Sequence, residues 1–190
     1  MRKKIHMHKR EGDWIQTYSG IQFWPLDPRP EEVWLKDIAH ALSNQCRFAG
    51  HCLSFYSVAQ HAILVSRSVP KEYAIWGLLH DAAEAYLVDL PRPIKNHSTL
   101  GNHYRRAEEY LMRTICTRFG LPVEEPWSVR IADNRVLMTE KRDLLSRSLA
   151  LWAEPQVEPL VATIRPWQPR TAERKFLLEA TILGISGELF

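Results

Sequence analysis

The longest run of apolar positions covers residues 73–88, with the sequence YAIWGLLHDAAEAYLV. Apolar residues occupy nearly every side of a helix built from this run, and such a helix is normally buried. Its groups that ionise at or below neutral pH are His80, Asp81 and Glu84. A buried carboxylate is costly unless it is paired, hydrogen-bonded or bound to a metal, so the pattern predicts a positive partner beside this helix. His80 and Glu84 are one helical turn apart and can face one cleft together with Asp81.

The remaining pattern predicts a mostly helical chain. β-Branched and aromatic residues around Ser19 and Gly20 predict a short hairpin over 14–24. The segment 44–57 is too polar and aperiodic for a helix, and two prolines predict an extended, stiff exit over 89–95. Amphipathic helices are predicted for residues 31–43, 57–68, 102–119, 127–152 and 171–183. The pattern therefore predicts an all-α fold with a short N-terminal β-hairpin.

Two polar residues break the apolar stripes of these helices. His61 lies on the buried face of the helix over 57–68, and Asp133 lies inside the stripe of the helix over 127–152. Taken singly, a buried histidine is most often a satisfied core residue, and a buried aspartate is often half of a salt bridge. Two helices that each bury a histidine make a shared metal site the more economical explanation. Residues 140–143, in contrast, look like a solvated, mutually paired face.

The polar segment after the first helix contains a second candidate site. Arg47, Phe48 and His51 lie close together, and an arginine beside an aromatic ring can clamp a phosphate while the ring stacks on a base. A surface arginine and a core phenylalanine are the alternative. Cys46, His51 and Cys52 could instead bind zinc, but a fourth ligand at a familiar spacing is missing.

The proline-rich exit would hold Asp89 and Lys95 near the C-terminal end of the central helix. The alternatives are that Asp89 is an ordinary polar residue at a helix end and that Lys95 is a solvated cation at the surface. Neither side chain can be assigned to a site from the local pattern alone.

Composition narrows the class of protein. The chain has 190 residues, of which 45% are hydrophobic and 25% are charged, so we expect a single domain over 1–190. A net charge of +3 is compatible with anionic substrates and too small to indicate a nucleic-acid-binding protein. Three cysteines without a Cys-x-x-Cys pair fit a reducing compartment. No apolar run reaches membrane-spanning length and the N-terminus lacks a signal-peptide pattern, so we expect a cytoplasmic protein without a membrane partner.

Residues 1–12 are predicted to form a flexible basic tail. A phosphate-contacting arm and a metal-binding pair made by His6 and His8 are the alternatives. Some of the seven tryptophans could lie at an interface, so a homodimer stays open, although a core role is the simpler explanation.

Several blocks resemble one known family. The order of His61, His80-Asp81 and Asp133 resembles the H…HD…D pattern of HD-domain metal-dependent phosphohydrolases. LSNQCRFAGH, YSVAQHA, LLHDAAEAY, DLPRPIK and ADNRVLMTEKRDLL resemble the blocks of its branch of bacterial and phage 5′-deoxynucleotidases and deoxynucleoside triphosphate hydrolases. These blocks span most of residues 15–145, and IRPWQPRTAERKF is similar to the end of phage-type members. The resemblance implies an HD-domain helical bundle.

The resemblance also implies roles for individual residues. The metal ligands would be His61, His80, Asp81 and Asp133. Glu84 would be the acid/base group, and Asp89 would position the attacking water or a second metal. The substrate-binding residues would be Arg47 and Lys95 on phosphate, Phe48 on the sugar or base, and His51 in the same loop. Phe48 stands where close nucleotidase relatives have tryptophan.

Mixed nitrogen and oxygen ligands suit manganese, cobalt, iron, nickel or zinc better than magnesium. The expected function is a 5′-deoxynucleotidase that releases phosphate from deoxynucleoside monophosphates. A triphosphohydrolase that releases triphosphate from deoxynucleoside triphosphates is an alternative. A second alternative is a nucleotide-binding regulator without catalytic activity, although such a protein has no need for an acid/base residue such as Glu84 beside the metal.

Overall fold

The computed structural model describes residues 10–150, 152 and 157–185. This part of the chain is mostly helical and has one antiparallel hairpin near its start, formed by β1 (Ile15–Gln16) and β2 (Gln22–Phe23). Ile15 pairs with Phe23, and Gly20 takes a φ of +83° in the turn, a conformation that glycine adopts without strain. The prediction of a helical fold with an N-terminal hairpin is therefore confirmed.

The helices run in chain order. They are α1 (Leu35–Asn44), α2 (Val58–Ser66), α3 (Ala74–Leu79), α4 (Glu84–Leu87), α5 (Arg92–His97), α6 (Thr99–Phe119), α7 (Trp127–Leu144) and α8 (Pro169–Ile182). Short 3-10 turns cover Pro30–Glu32, Phe48–Gly50 and Lys71–Tyr73. None of the helices in the described residues is long and apolar enough to cross a membrane.

Helix α2 lies at the centre of the helical packing. It contacts α1, α3, α7 and α8, and its side chains are buried on nearly every face. Its start is capped by Ser57, whose hydroxyl accepts a hydrogen bond from the Gln60 backbone N–H. Gly77 lets α3 approach closely, because a Cβ at that position would lie 3.0 Å from Ser66 Cα. His61 is thereby placed between the helices that carry the other candidate ligands.

The prediction of one continuous helix over 73–88 is wrong. Residues 80–83 form a tight turn between α3 and α4, in which Ala82 N–H donates to Leu79 O at 2.9 Å and Glu84 N–H donates to Asp81 O at 3.0 Å. These bonds span three residues rather than four, although His80 keeps right-handed dihedrals of −59° and −34°. Over only four residues, apolar periodicity cannot distinguish a 3-10 turn from an α-helix, so the sequence pattern did not reveal this turn.

Other boundaries also differ from prediction. The helix predicted over 31–43 begins only at Leu35, after a separate 3-10 turn over Pro30–Glu32. The exit over 89–95 is extended only as far as Pro91, after which α5 begins with Pro93 in its first turn, where proline is well tolerated. Helix α7 ends at Leu144 instead of continuing to 152. In the last turn of α7, Arg142 donates to the Leu160 and Ala162 carbonyls and Asp143 accepts from the Ile164 N–H, so both side chains bind the backbone of the segment before α8.

Of the predicted basic tail, residues 1–9 lie outside the described residues, and so does the alternative pair His6 and His8. Arg10 forms ion pairs with Asp27 at 2.8 Å and Glu32 at 2.7 Å, and its guanidinium lies over the Trp24 ring. These contacts join the start of the described chain to the loop that follows the hairpin.

Candidate metal centre

Three predicted ligands converge at one point. His61 comes from α2, whereas His80 and Asp81 come from the tight turn after α3. His61 Nε2 lies 3.2 Å from His80 Nε2, and Asp81 Oδ2 lies 3.6 Å and 3.1 Å from these two nitrogens. Among the described residues, these three form the group of histidines and carboxylates compact enough to hold a metal ion. We call this group the His-His-Asp trio.

Asp133 reaches the trio from α7. Its Oδ1 lies 3.2 Å from His61 Nε2, and its side chain keeps 24% of its surface exposed. Asp133 is outside the compact trio but contacts the most deeply buried of its members. The four residues predicted as ligands are thus neighbours, although they come from three separate parts of the sequence.

Hydrogen bonds on the far side of each ring orient the two imidazoles. His80 Nδ1 lies 2.8 Å from the Gly77 carbonyl oxygen, which can only accept, so Nδ1 carries the proton. His61 Nδ1 lies 2.7 Å from Glu140 Oε1 and faces a carboxylate in the same way. Both neutral rings would then direct an Nε2 lone pair into the trio. Two lone pairs 3.2 Å apart repel each other, so the site requires a cation or an extra proton between them.

The spacing of the donors also fits a cation. Ligand atoms about 2.1 Å from a metal and separated by about 90–109° lie roughly 3.0–3.4 Å apart. The contacts of His61 Nε2 with His80 and Asp133 and of His80 Nε2 with Asp81 measure 3.1–3.2 Å. His61 Nε2 and Asp81 Oδ2 are slightly farther apart, at 3.6 Å. The two imidazole nitrogens and the Asp81 carboxylate therefore suit a divalent transition metal in chemistry and lie close enough together to share one, whereas Asp133 meets this spacing through His61 alone.

The electrostatics of the cluster favour positive charge. Burial works against the His80 imidazolium, but the carboxylates of Asp81 and Asp133 outweigh it and raise the pKa of His80 to about 9. The pKa of His61 is also raised, because Glu140 and Asp133 together outweigh burial and the nearby Arg47. The pKa values of Asp81 and Asp133 are lowered against the effect of burial, chiefly by these histidines. A bound cation would satisfy the same carboxylates that stabilise the protons.

Glu84 lies beside this cluster at the start of α4. Its side chain is buried, and Oε2 has no hydrogen-bond partner in the described part of the chain. Burial, followed by the charges of Asp81 and Asp89, raises the pKa of Glu84 well above its usual range. Gln45 braces both ends of α4, because it donates to the Glu84 carbonyl at 2.9 Å and accepts from the Asp89 N–H at 3.3 Å. Asp89 is half-buried, and burial raises its pKa.

Arg47 also lies against the trio. Its Nη1 lies 3.5 Å from Asp81 Oδ2 and its Nε lies 3.2 Å from Glu140 Oε1. The guanidinium is 5.5 Å from the Phe48 ring, and Phe48 has a positive φ of +54°, which is unusual for a bulky residue. His51 is exposed at the end of the same turn. The structure therefore brings Arg47 to the candidate centre and leaves His51 at the surface of the loop.

A cleft of about 460 Å³ opens over His80, Asp81 and Asp133, and the buried His61 lies behind them. Its walls are formed by Trp76, His80, Asp81, Lys95, Glu108, Glu109, Met112, Arg113, Val123, Glu124, Glu125 and Asp133. Lys95 Nζ lies 2.6 Å from Glu108 Oε1 and 5.4 Å from the centre of the Tyr104 ring. Lys95 is thus part of the same cleft as the metal-binding candidates, and it is paired with a glutamate that the sequence pattern did not single out.

Glu140 is the main residue that sequence reasoning missed. Its side chain is completely buried and contacts His61 and Arg47, so the prediction of a solvated face over 140–143 is wrong at this position. The signal was present, because Glu140 follows Val136 by four residues and precedes Leu144 by four, and both of these are buried. The neighbouring Arg142–Asp143 pair does form the local contact expected of that run.

The alternative zinc site is not formed. Cys46, His51 and Cys52 do not belong to any compact metal-binding group in the described ranges, and all three cysteines of the chain are free thiols. The strongest cluster of metal-binding side chains is therefore the trio with its neighbour Asp133.

Comparison with known proteins gives relatives but no family model that matches the chain. The uncharacterized protein YfdR of Escherichia coli is 44% identical over 149 residues, which cover 78% of this chain and 81% of the relative. An uncharacterized protein of Rhodobacter capsulatus is 32% identical over 128 residues, which cover 63% of this chain and 64% of that protein. Identity and coverage of this extent show that the chain belongs to the same family as YfdR.

Proposed function

We propose that this protein is a divalent-metal-dependent phosphohydrolase of the HD-domain class, which releases phosphate from deoxynucleoside 5′-monophosphates. The observation that carries the proposal is the convergence of two oriented imidazole nitrogens and a carboxylate beneath a cleft. The resemblance of the surrounding sequence blocks to 5′-deoxynucleotidases supports the choice of substrate.

The His-His-Asp trio and Asp133 would hold the cation. When bound, a divalent metal supplies a Lewis acid that neutralises phosphate charge and lowers the pKa of water. The lowered pKa values of the two aspartates favour the ionised state that a metal requires, whereas His80, whose pKa is raised to about 9, must release its proton when the cation binds. Manganese, cobalt, iron, nickel and zinc suit this donor set better than magnesium does.

Arg47 and Lys95 would bind the phosphate of the substrate. Each cation is close to the trio or to its cleft, and each is now paired with carboxylates. A phosphate that enters the cleft offers several acceptor oxygens, so it can take the place of Glu108 on Lys95 and use guanidinium N–H groups of Arg47 that the carboxylates leave free. Both side chains would then stabilise the negative charge that develops during phosphoryl transfer.

Glu84 would manage the proton. Burial and the charges of Asp81 and Asp89 raise its pKa well above the usual range and so favour the protonated carboxyl group, and Oε2 has no competing partner in the described residues. A protonated carboxyl group beside the reacting phosphate can donate its proton to the departing 5′ oxygen of the nucleoside. Asp89, which lies close enough to influence Glu84, would help to position the attacking water or a second cation.

Product analysis tests the proposal. Metal-stripped protein is resupplied with manganese, cobalt, magnesium or zinc and mixed with each deoxynucleoside monophosphate, ribonucleoside monophosphate and deoxynucleoside triphosphate, and the products are separated by chromatography. We expect nucleoside and inorganic phosphate from the deoxynucleoside monophosphates. Nucleoside and triphosphate from the triphosphates would identify a triphosphohydrolase, and the absence of products with every metal would indicate a regulator that binds nucleotides.

Two variants show whether turnover depends on the trio. His80→Ala removes a ligand and should abolish turnover, whereas His40→Ala removes a histidine of α1 that pairs with Glu173 and should retain it. Equal activity of these two variants would contradict the assignment of the site.

A further inference from the structure

One oxygen of Glu140 serves two functional side chains. Oε1 lies 2.7 Å from His61 Nδ1 and 3.2 Å from Arg47 Nε, and the glutamate side chain has no exposed surface. The contact with His61 has hydrogen-bond geometry, whereas the contact with Arg47 is an ion pair whose Nε–H is not aimed at the oxygen. The second oxygen, Oε2, has no partner with good hydrogen-bond geometry among the described residues, although the buried Tyr56 hydroxyl is close enough to interact with the carboxylate.

The two partners of Glu140 both face the candidate centre with their other ends. His61 directs Nε2 toward His80 and Asp133, and Arg47 directs Nη1 toward Asp81. A movement of the Glu140 carboxylate would therefore shift both the imidazole proposed to bind the cation and the guanidinium that faces Asp81. Glu140 itself contacts neither of these groups on their functional sides.

We infer that Glu140 is a positioning residue that fixes His61 for the cation and Arg47 for phosphate, and so couples the two halves of the site. The phosphate half of this inference rests on the proposed function, whereas the half that concerns His61 does not. A carboxylate on the far nitrogen of a histidine ligand fixes its ring orientation and raises its basicity. An arginine held from one side by a buried carboxylate keeps its remaining donors in one place for an incoming anion.

A purely structural role is the competing explanation. A buried arginine needs a counter-charge, and Glu140 would supply one even if the site had no function. In that case the removal of its charge would lower the free energy of unfolding and leave the intrinsic affinity for a cation unchanged. The two explanations therefore predict different affinities of the folded protein for a cation, whereas stability does not distinguish them.

Glu140→Gln is the decisive variant, because it keeps the shape of the side chain and removes its charge. We expect the affinity of metal-stripped protein for Mn²⁺, measured by titration calorimetry, to fall by about 10–100-fold. Glu179→Gln is the matched control. Glu179 lies on α8, which supplies no candidate ligand, and it is a buried glutamate that pairs with Arg67 at 2.5 Å. This control should bind Mn²⁺ as the unaltered protein does.

The coupling to Arg47 has a separate readout. With Mn²⁺ at saturation, the Kd for inorganic phosphate should rise in Glu140→Gln and stay unchanged in Glu179→Gln. An unchanged Kd for phosphate would overturn the Arg47 half, and an unchanged affinity for Mn²⁺ would overturn the His61 half. Neither readout requires turnover, so an unaltered protein that binds Mn²⁺ and phosphate but hydrolyses no nucleotide would refute the proposed function alone.

A second variant covers the case in which Glu140→Gln does not fold. Glu140→Asp keeps the charge that Arg47 needs and shortens the side chain by one methylene, which withdraws the oxygen from His61 Nδ1. We expect the same loss of Mn²⁺ affinity, and an affinity equal to that of the unaltered protein would contradict the inference.

Discussion

Raising the pH from 6.5 to 9 should destabilise the metal-free protein by about 2–3 kcal/mol through His80 alone. Burial disfavours the charged ring, but Asp81 and Asp133 prevail and raise its pKa to about 9, above the value of about 6.5 expected in the unfolded chain. The folded state therefore binds the proton more tightly, and its stabilising effect is complete below pH 6.5 and is lost as the pH rises through 9. The difference of about 2.5 between the two pKa values corresponds to roughly 3 kcal/mol when the effect is complete.

A bound cation should remove most of this dependence on His80, because it takes the place of the proton between the two Nε2 atoms. The assay is urea denaturation of stripped and manganese-loaded protein at several pH values across this range, with the free energy of unfolding extrapolated to water. The advantage of the loaded protein over the stripped protein should grow as the pH rises.

Glu84 requires a control in this experiment. Burial, with Asp81 and Asp89, raises its pKa, so the proton on Glu84 also stabilises the folded state less as the pH rises. His80→Gln retains Glu84 and removes the titrating ring, so this variant should lose the His80 part of the slope and keep the rest. If stripped His80→Gln showed the same slope as the unaltered protein, the electrostatic reasoning about the trio would be refuted.

Three further predictions concern single side chains. Glu84→Gln should keep its affinity for Mn²⁺ in calorimetry and lose about 10²–10⁴-fold in kcat, and full turnover would exclude it as the acid/base group. Gly77→Ala places a Cβ 3.0 Å from Ser66 Cα, so we expect α3 to move from α2, with a loss of about 1–3 kcal/mol in urea denaturation and weaker Mn²⁺ binding. Unchanged values would show that the close approach is not needed. Phe176→Ala empties a fully buried position and should cost about 3–5 kcal/mol, whereas Leu178→Ala on the exposed side of α8 should change stability by less than about 0.5 kcal/mol. Similar losses in the two variants would contradict the burial assigned to α8.

The candidate ligands were predictable from sequence because each one violates a local pattern. His61 and Asp133 interrupt apolar stripes, and His80 and Asp81 are polar residues in a run that is otherwise apolar. Such violations are visible without knowledge of the fold, and the structure brings these four side chains together.

The supporting side chains were not predictable in the same way. Glu140 stands in a charged run, and only the burial of Val136 and Leu144 on the same helical face reveals that it points inward. Glu108 lies on α6, far in sequence from the trio, and its role became visible only through its contact with Lys95. Contacts between distant segments depend on how the helices pack, which local periodicity does not encode.

The turn over 80–83 illustrates a second limit of periodicity. The apolar pattern continues through it without a glycine or proline that would mark a break. Hydrogen bonds that span three residues shape this turn, and within it His80 Nε2 lies 3.1 Å from Asp81 Oδ2. The departure from regular helix thus occurs at the residues that form the candidate centre.

The most direct measurement is an anomalous difference map from crystals of the protein grown with Mn²⁺. We predict one strong peak within about 2.2 Å of the Nε2 atoms of His61 and His80, with Asp81 or Asp133 oxygens completing the contact. A peak elsewhere, or none at the trio with Mn²⁺ at saturation, would contradict the metal centre and the function proposed from it.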